Sequence, residues 1–202
     1  MLKIDFKKEL KHLYSPLTKT INVVDVPTMN FLMIDGKGNP NTAKEYRDAI
    51  EALYSLSYTL KFMIKKNRNV NYGVLPLEGL WWADDMTNFQ TGNKDNWKWT
   101  AMIMQPEYVT TDNVNKAIEE LKKKKDLVSL PKIMFSSFTE GPSAQTMHIG
   151  PYADEGPTIE KIHNFIKEKG HRLRGKHHEI YLSDPRRSKP EKLKTIIRQP
   201  FM

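Results

Sequence analysis

The 202-residue chain contains no cysteine. That excludes a disulfide framework, thiolate nucleophiles and cysteine-ligated metals, and it suits a reducing compartment. Long apolar runs are missing too. No stretch approaches the ~20 apolar residues that span a bilayer. The N-terminus, MLKIDFKKELKHLY, alternates charged and apolar residues where a signal peptide needs a continuous apolar core. Acid is scarce relative to base, 24 Asp and Glu against 32 Lys and Arg, for a net charge of +8. This speaks against an acidic, DNA-mimicking interaction surface. The basic residues are spread over KKKK at 122–125, HRLRGKHH at 171–178 and DPRRSKPEKLK at 184–194. None carries zinc-finger spacing, an RNP-type strand or a helix-turn-helix pattern, so they read as solvated surface with no nucleic-acid partner. With 39% hydrophobic and 28% charged residues, the composition fits one globular domain over residues 1–202, with no membrane partner and a cytoplasmic location expected.

Three stretches have helical periodicity. Tyr46, Ala49, Ile50, Leu53, Leu56, Leu60 and Met63 form an apolar stripe at spacings of three and four, predicting a helix over about 43–66 after the turn GKGNPN. A second helix is expected over about 110–125, with Val114, Ala117, Ile118 and Leu121 on one face. The third lies in GPTIEKIHNFIKEKG, with Pro157 at its start and Gly170 past its end. FKKELKHLY suggests a short N-terminal helix. NFLMIDG, YGVLPLEGLWW, WKWTAMIMQP, KIMFSSFTE, SAQTMHIG, HHEIYLSDP and KLKTIIRQP read as strands, and ADDMTNFQTGNKDN as a long polar connection.

The order strand–helix–strand–strand occurs twice, over about 29–106 and 131–202, joined by the helix at 110–125. The expected fold class is therefore α+β: a pseudo-twofold duplication forming an antiparallel sheet, with helices on one face and a ligand pocket on the other. Strand alternation assigns the faces. In GVLPLEGLWW one set holds Leu75, Leu77, Gly79 and Trp81; the other holds Glu78, Leu80 and Trp82. In HHEIYLSD, His177, Glu179 and Tyr181 oppose His178, Ile180 and Leu182. Glu78, Leu80, Trp82, Trp97, Trp99 and Tyr181, with Met147 and Phe138 from flanking strands, are the candidate lining of a pocket. Such an aromatic surface with a few acids suits a flat or cationic small molecule. A plainer reading stays open beside this one: acids paired with lysine or arginine on neighbouring strands, and tryptophans serving as core. Trp81, sharing a face with Leu75 and Leu77, is assigned to core. Adjacent His177 and His178 point to opposite faces and cannot chelate together, so no metal site and no cofactor is expected.

VPTMNFLMIDGKGNPN, LEGLWW, HIGPY and HHEIYLSDPRR closely resemble the GyrI-like small-molecule-binding family, in particular its stand-alone bacterial members. The resemblance runs from about residue 1 to the C-terminus. It implies a pair of strand–helix–strand–strand units related to the SOUL haem-binding proteins. Relatives include gyrase-inhibitory proteins and effector-binding domains of multidrug-responsive transcription activators. The latter hold bulky aromatic cations over a buried glutamate, to which Glu179 corresponds. The chain shows no DNA-binding domain ahead of the fold, which speaks against a one-component activator. Some stand-alone members are similar to hydrolases that open the cyclopropane ring of DNA-alkylating toxins. The likeness thus implies a detoxifying enzyme, with an aromatic ligand or toxin as partner. On that basis Glu179, its pKa expected to rise among tryptophans, is the candidate base. Tyr152 is the candidate donor to the substrate carbonyl, with Tyr181 second; Tyr152 as a mere brace of the turn before the helix is the plainer alternative. A non-catalytic drug-binding protein using the same pocket is the alternative function.

Overall fold

The computed structural model describes residues 1–84 and 94–202. The central part of the polar connection expected between the second and third strands of the first unit lies outside the described residues. The elements are β1 (Leu2–Ile4), α1 (Phe6–Glu9), α2 (Lys11–Tyr14), β2 (Asn22–Val26), β3 (Met29–Lys37), α3 (Lys44–Arg68), β4 (Val70–Tyr72), β5 (Leu77–Trp82), β6 (Lys98–Gln105), α4 (Thr111–Lys122), β7 (Met134–Phe138), β8 (Gly141–Ile149), α5 (Gly156–Glu168), β9 (His177–Tyr181) and β10 (Lys194–Pro200). Local signals explain the helix ends. Asn69 closes α3 in the left-handed region at φ 54°, a conformation asparagine tolerates better than most residues. Thr110 and Asn113 form a reciprocal capping box at the start of α4, satisfying two otherwise orphaned amides.

The fold is α+β, built on an antiparallel sheet of order β2-β8-β10-β9-β5-β6-β3-β7. The two units are β3–α3–β5–β6 and β8–α5–β9–β10. Outward from the central β5–β9 pair, each unit contributes its second, third and first strand in turn, the twofold order that the repeated elements predict. Two outer strands cross between the units: β2 precedes β3 but pairs with β8, and β7 precedes β8 but pairs with β3. β2 is absent from the sequence expectation because NVVDV is a half-exposed edge segment without a clean alternation.

α3 covers one half of the first sheet face, burying Leu53, Leu56 and Leu60 against Leu32, Ile34, Ala101 and Ile103, and α4 packs against α3. α5 covers the other half, with Ile162 and Ile166 against Ala144 and Ile197. The second face is closed as well. Leu13 and Tyr14 of α2 pack there with Phe31, Leu80, Met102, Met104, Ile180 and Ile196. This differs from the expectation of a pocket opposite the helices. The central strands are apolar on both faces, so both need cover, and the N-terminal segment supplies the second. Each fully buried aliphatic side chain contributes about 1.5–3 kcal/mol, which favours this closure.

Candidate functional site

α3 packs on β3 and β6, and α5 on β8 and β10, leaving the β5–β9 pair in the seam between the helices. The register pairs Gly79 with Glu179 and Leu77 with Tyr181, so alternation turns His177, Glu179, Tyr181, Gly79 and Trp81 into this seam. Glu179 lies at its floor with a side chain 12% exposed. One carboxylate oxygen accepts from the Tyr181 hydroxyl at 2.6 Å, and the other lies 3.0 Å from His177 Nε2. The Tyr181 oxygen in turn accepts from Trp81 Nε1 at 3.0 Å. A Cβ on Gly79 would come within 2.6 Å of Trp81 Nε1. The glycine of LEGLWW therefore makes room for the bond that orients Tyr181.

The walls are aromatic. Tyr46 of α3 packs against Trp81 and Trp99 with ring centroids 5.5 and 5.0 Å away. Trp97 stands edge-on to Trp81, and the Lys94 ammonium lies 4.9 Å over the Trp97 ring. Tyr152, in the short turn before α5, contacts Tyr181 at 5.6 Å and is 37% exposed, forming the rim. A second carboxyl enters from the same turn: Glu155 is buried against Glu179 and Thr195.

The two acids carry unequal proton affinities. Burial alone would raise Glu179, but the bonds and charge of His177, the Tyr181 hydroxyl and nearby Lys94 outweigh it and hold the carboxyl below the usual range. The rise expected for Glu179 is thus corrected: its hydrogen-bond partners decide the sign. Burial and the adjacent Glu179 charge instead push Glu155 up to about 9. Burial and the charges of Glu155 and Glu179 push the Tyr152 phenol up to about 12, so it stays a proton donor at neutral pH.

Of the residues singled out from the sequence, Glu179, Tyr181, Tyr152 and Trp97 meet in the seam. Trp99 shares that face but is fully buried beneath Tyr46, where it occupies the space a Cβ on Gly36 would take. Glu78, Leu80, Trp82, Met147 and Phe138 lie on the second face, because strand alternation separates them from Glu179. Leu80, Met147 and Phe138 belong to the core under the N-terminal segment, and Trp82 lies beneath the Lys176 ammonium, 3.3 Å from its ring centre. Glu78 is wholly buried in a charged network. It accepts from the Tyr14 hydroxyl at 2.7 Å and lies 3.0 Å from His178 Nε2. His178 Nδ1 meets Glu140 at 3.0 Å, and Arg198 joins Glu140, Gln145 and the Leu13 carbonyl. Burial would lower His178, but Glu140 and Glu78 raise it to about 9; burial would raise Glu140, but His178 and Arg198 hold it below its ordinary value. This network fastens the N-terminal segment to the sheet.

Sequence reasoning missed Glu155, Tyr46, Lys94 and the contact between His177 and Glu179. Alternation alone places His177 beside Glu179 on one face. Glu155 gives no such signal, since an acid just before a helix is common for reasons of the macrodipole. Among the described residues, no group of three His, Asp or Glu side chains could hold a metal ion, and no helix is long and apolar enough to cross a membrane.

An antiparallel sheet made of two strand–helix–strand–strand units, with its two central strands paired, defines the class of fold. The family model of the GyrI-like small molecule binding domain matches residues 19–201, and the chain belongs to that family. It is similar to a crystal structure of a conserved, uncharacterized protein of Listeria innocua, at 42% identity over 98% of this chain and 100% of that one, with a TM-score of 0.90. A protein of Listeria innocua described as a hydrolase is 40% identical over 98% and 100% of the two chains, with a TM-score of 0.86. The C-terminal domain of EcmrR shares the fold at 11% identity, covering 91% of this chain and 97% of that one, with a TM-score of 0.56. No curated protein matches the chain significantly.

Proposed function

We propose that the protein binds flat, electrophilic small molecules in the seam between α3 and α5 and adds water to them, opening the strained cyclopropane of cyclopropanoid genotoxins. The observation that carries this reading is Glu179: a carboxylate kept ionised at the floor of an aromatic seam, with its two oxygens held by Tyr181 and His177. The likeness to Listeria innocua proteins described as hydrolases supports it. Glu179 orients a water molecule and takes its proton as the water oxygen bonds to the ring methylene. The strained C–C bond breaks, and its electron pair moves through the conjugated system onto the distal carbonyl oxygen. Tyr152 gives its phenolic proton to that oxygen, and solvent later removes the proton from Glu179 and restores the phenol. Tyr181, already committed to Glu179 and Trp81, positions the carboxylate. Trp97 and Tyr46 flank the bound ring system.

The test follows loss of a spirocyclopropyl dienone by absorbance and mass, with wild type and Glu179→Gln. A product heavier by one water from the wild type, with turnover in the variant lower by roughly 10²-fold or more, is expected for a lost base. Equal rates would end the assignment of Glu179. Tryptophan quenching by the dienone with no product from either protein would make this a binding domain without catalysis.

A further inference from the structure

The contact between the two acids of the seam has no part in the mechanism above. Glu155 is 4% exposed, its carboxyl faces that of Glu179 and the Thr195 hydroxyl, and its Oε1 completes no hydrogen bond. Glu179 has partners on both oxygens. Burial of two facing carboxyls disfavours a charge on both. Glu179, with the stronger set of donors, keeps the charge, and Glu155 keeps the proton. We propose that Glu155 is a positioning residue of this site: as a neutral acid it donates a hydrogen bond to the Glu179 carboxylate, locking its orientation and holding the pair of acids at one negative charge.

The groups that face Glu155 agree with this. β9 presents Glu179, itself bonded to His177, and Tyr181; the turn before β6 presents Lys94; β10 presents Thr195; and its own turn presents Tyr152. On β8, His148 is bonded to Thr158 and the Pro151 carbonyl. Lys94 is the cation among these, and its charge falls on Glu179 as well as Glu155. The seam therefore admits neutral electrophiles at neutral pH and gains a second negative charge only when Glu155 ionises.

The proposal rests on the seam being the binding site, and on the hydrolytic reading only where turnover is read. Wild type, Glu155→Gln and Glu155→Ala would be compared from pH 6 to 10.5 in three measurements. In the first, carbon-13 NMR of glutamate-labelled protein without ligand follows the ionisation of Glu155, assigned by its loss in Glu155→Gln. A midpoint near 9, falling when Glu179→Gln removes the neighbouring charge, is expected; a midpoint in the ordinary carboxylate range overturns the proposal. In the second, turnover of the cyclopropanoid should drop about tenfold per pH unit above the midpoint in wild type. Glu155→Gln, a permanent neutral donor, should lose less of the neutral-pH rate than Glu155→Ala and lack this limb. Glu155→Ala should lose roughly 10–100-fold, as removal of an orienting partner does elsewhere. An unchanged limb in Glu155→Gln, or Gln as impaired as Ala, overturns the assignment. In the third, affinity for N-methylacridinium, read by tryptophan quenching, should rise through the same pH in wild type and stay flat in Glu155→Gln; a rise in both overturns it. Absence of turnover in wild type with the titration and cation arms as expected would defeat the hydrolytic reading alone.

Discussion

His178 carries the most quantitative prediction. Its imidazole is fully buried between Glu78 and Glu140, 3.0 Å from each, and folding lifts its pKa from 6.5 to about 9. A proton held more tightly in the folded state stabilises that state. The contribution is fully present below pH 6.5 and is lost as pH rises through about 9. At 1.36 kcal/mol per pKa unit, the span corresponds to about 3 kcal/mol. The control is the double variant His178→Gln, Glu78→Gln, which removes one positive and one negative charge together and leaves Glu140 paired with Arg198. Single removal of His178 would leave the buried Glu78 carboxylate without its charged partner and measure that penalty instead. Glu155, whose ionisation also opposes folding at high pH, is present in both proteins and cancels in the difference. Urea unfolding between pH 6 and 10 should show the wild type losing about 3 kcal/mol more than the double variant. A wild type whose stability stays flat or rises relative to the variant would refute the charged network, because His178 would then be neutral in the folded protein.

Two further outcomes test how the faces are closed and how the site is held. Tyr14→Phe leaves a Glu78 oxygen buried without its 2.7 Å donor, so stability should fall by about 1–3 kcal/mol. Limited proteolysis with mass detection should then show faster cutting within residues 1–20, and an unchanged cutting rate would mean the hydroxyl does not secure the segment. Gly79→Ala places a methyl group 2.6 Å from Trp81 Nε1, which forces apart the Trp81–Tyr181 bond and should cost about 1–3 kcal/mol in denaturant unfolding. Wild-type stability with an unaltered tryptophan spectrum would show that the strand can yield there.

Much of the architecture could be read from residues alone. The stripe from Tyr46 to Met63, the Pro157 and Gly170 boundaries and the alternation of HHEIYL are local periodic signals, and helices and strands follow from them at those places. The repeated element order predicted the twofold sheet, since each unit needs a partner to pair its central strand. That Glu179 and Tyr181 stand together on one strand face was legible on the same grounds. Glu78 was not. An acid on the same strand face as an aromatic has the same pattern whether it lines a pocket or sits in a core. What separates the two cases is the segment laid over that face, and α2 comes from more than sixty residues away in the chain.

By itself, then, the sequence determined the elements, the duplication, the family and the side of each strand on which a residue stands, because these depend on short-range period and composition. The tertiary structure alone decided what covers each face. Register across β5 and β9 brings Gly79, Trp81 and Glu179 together from 100 residues apart, and the turn before α5 adds Glu155 to them. Those long-range contacts also set the proton affinities: Tyr181 and His177 keep Glu179 ionised, while the same burial leaves Glu155 holding its proton.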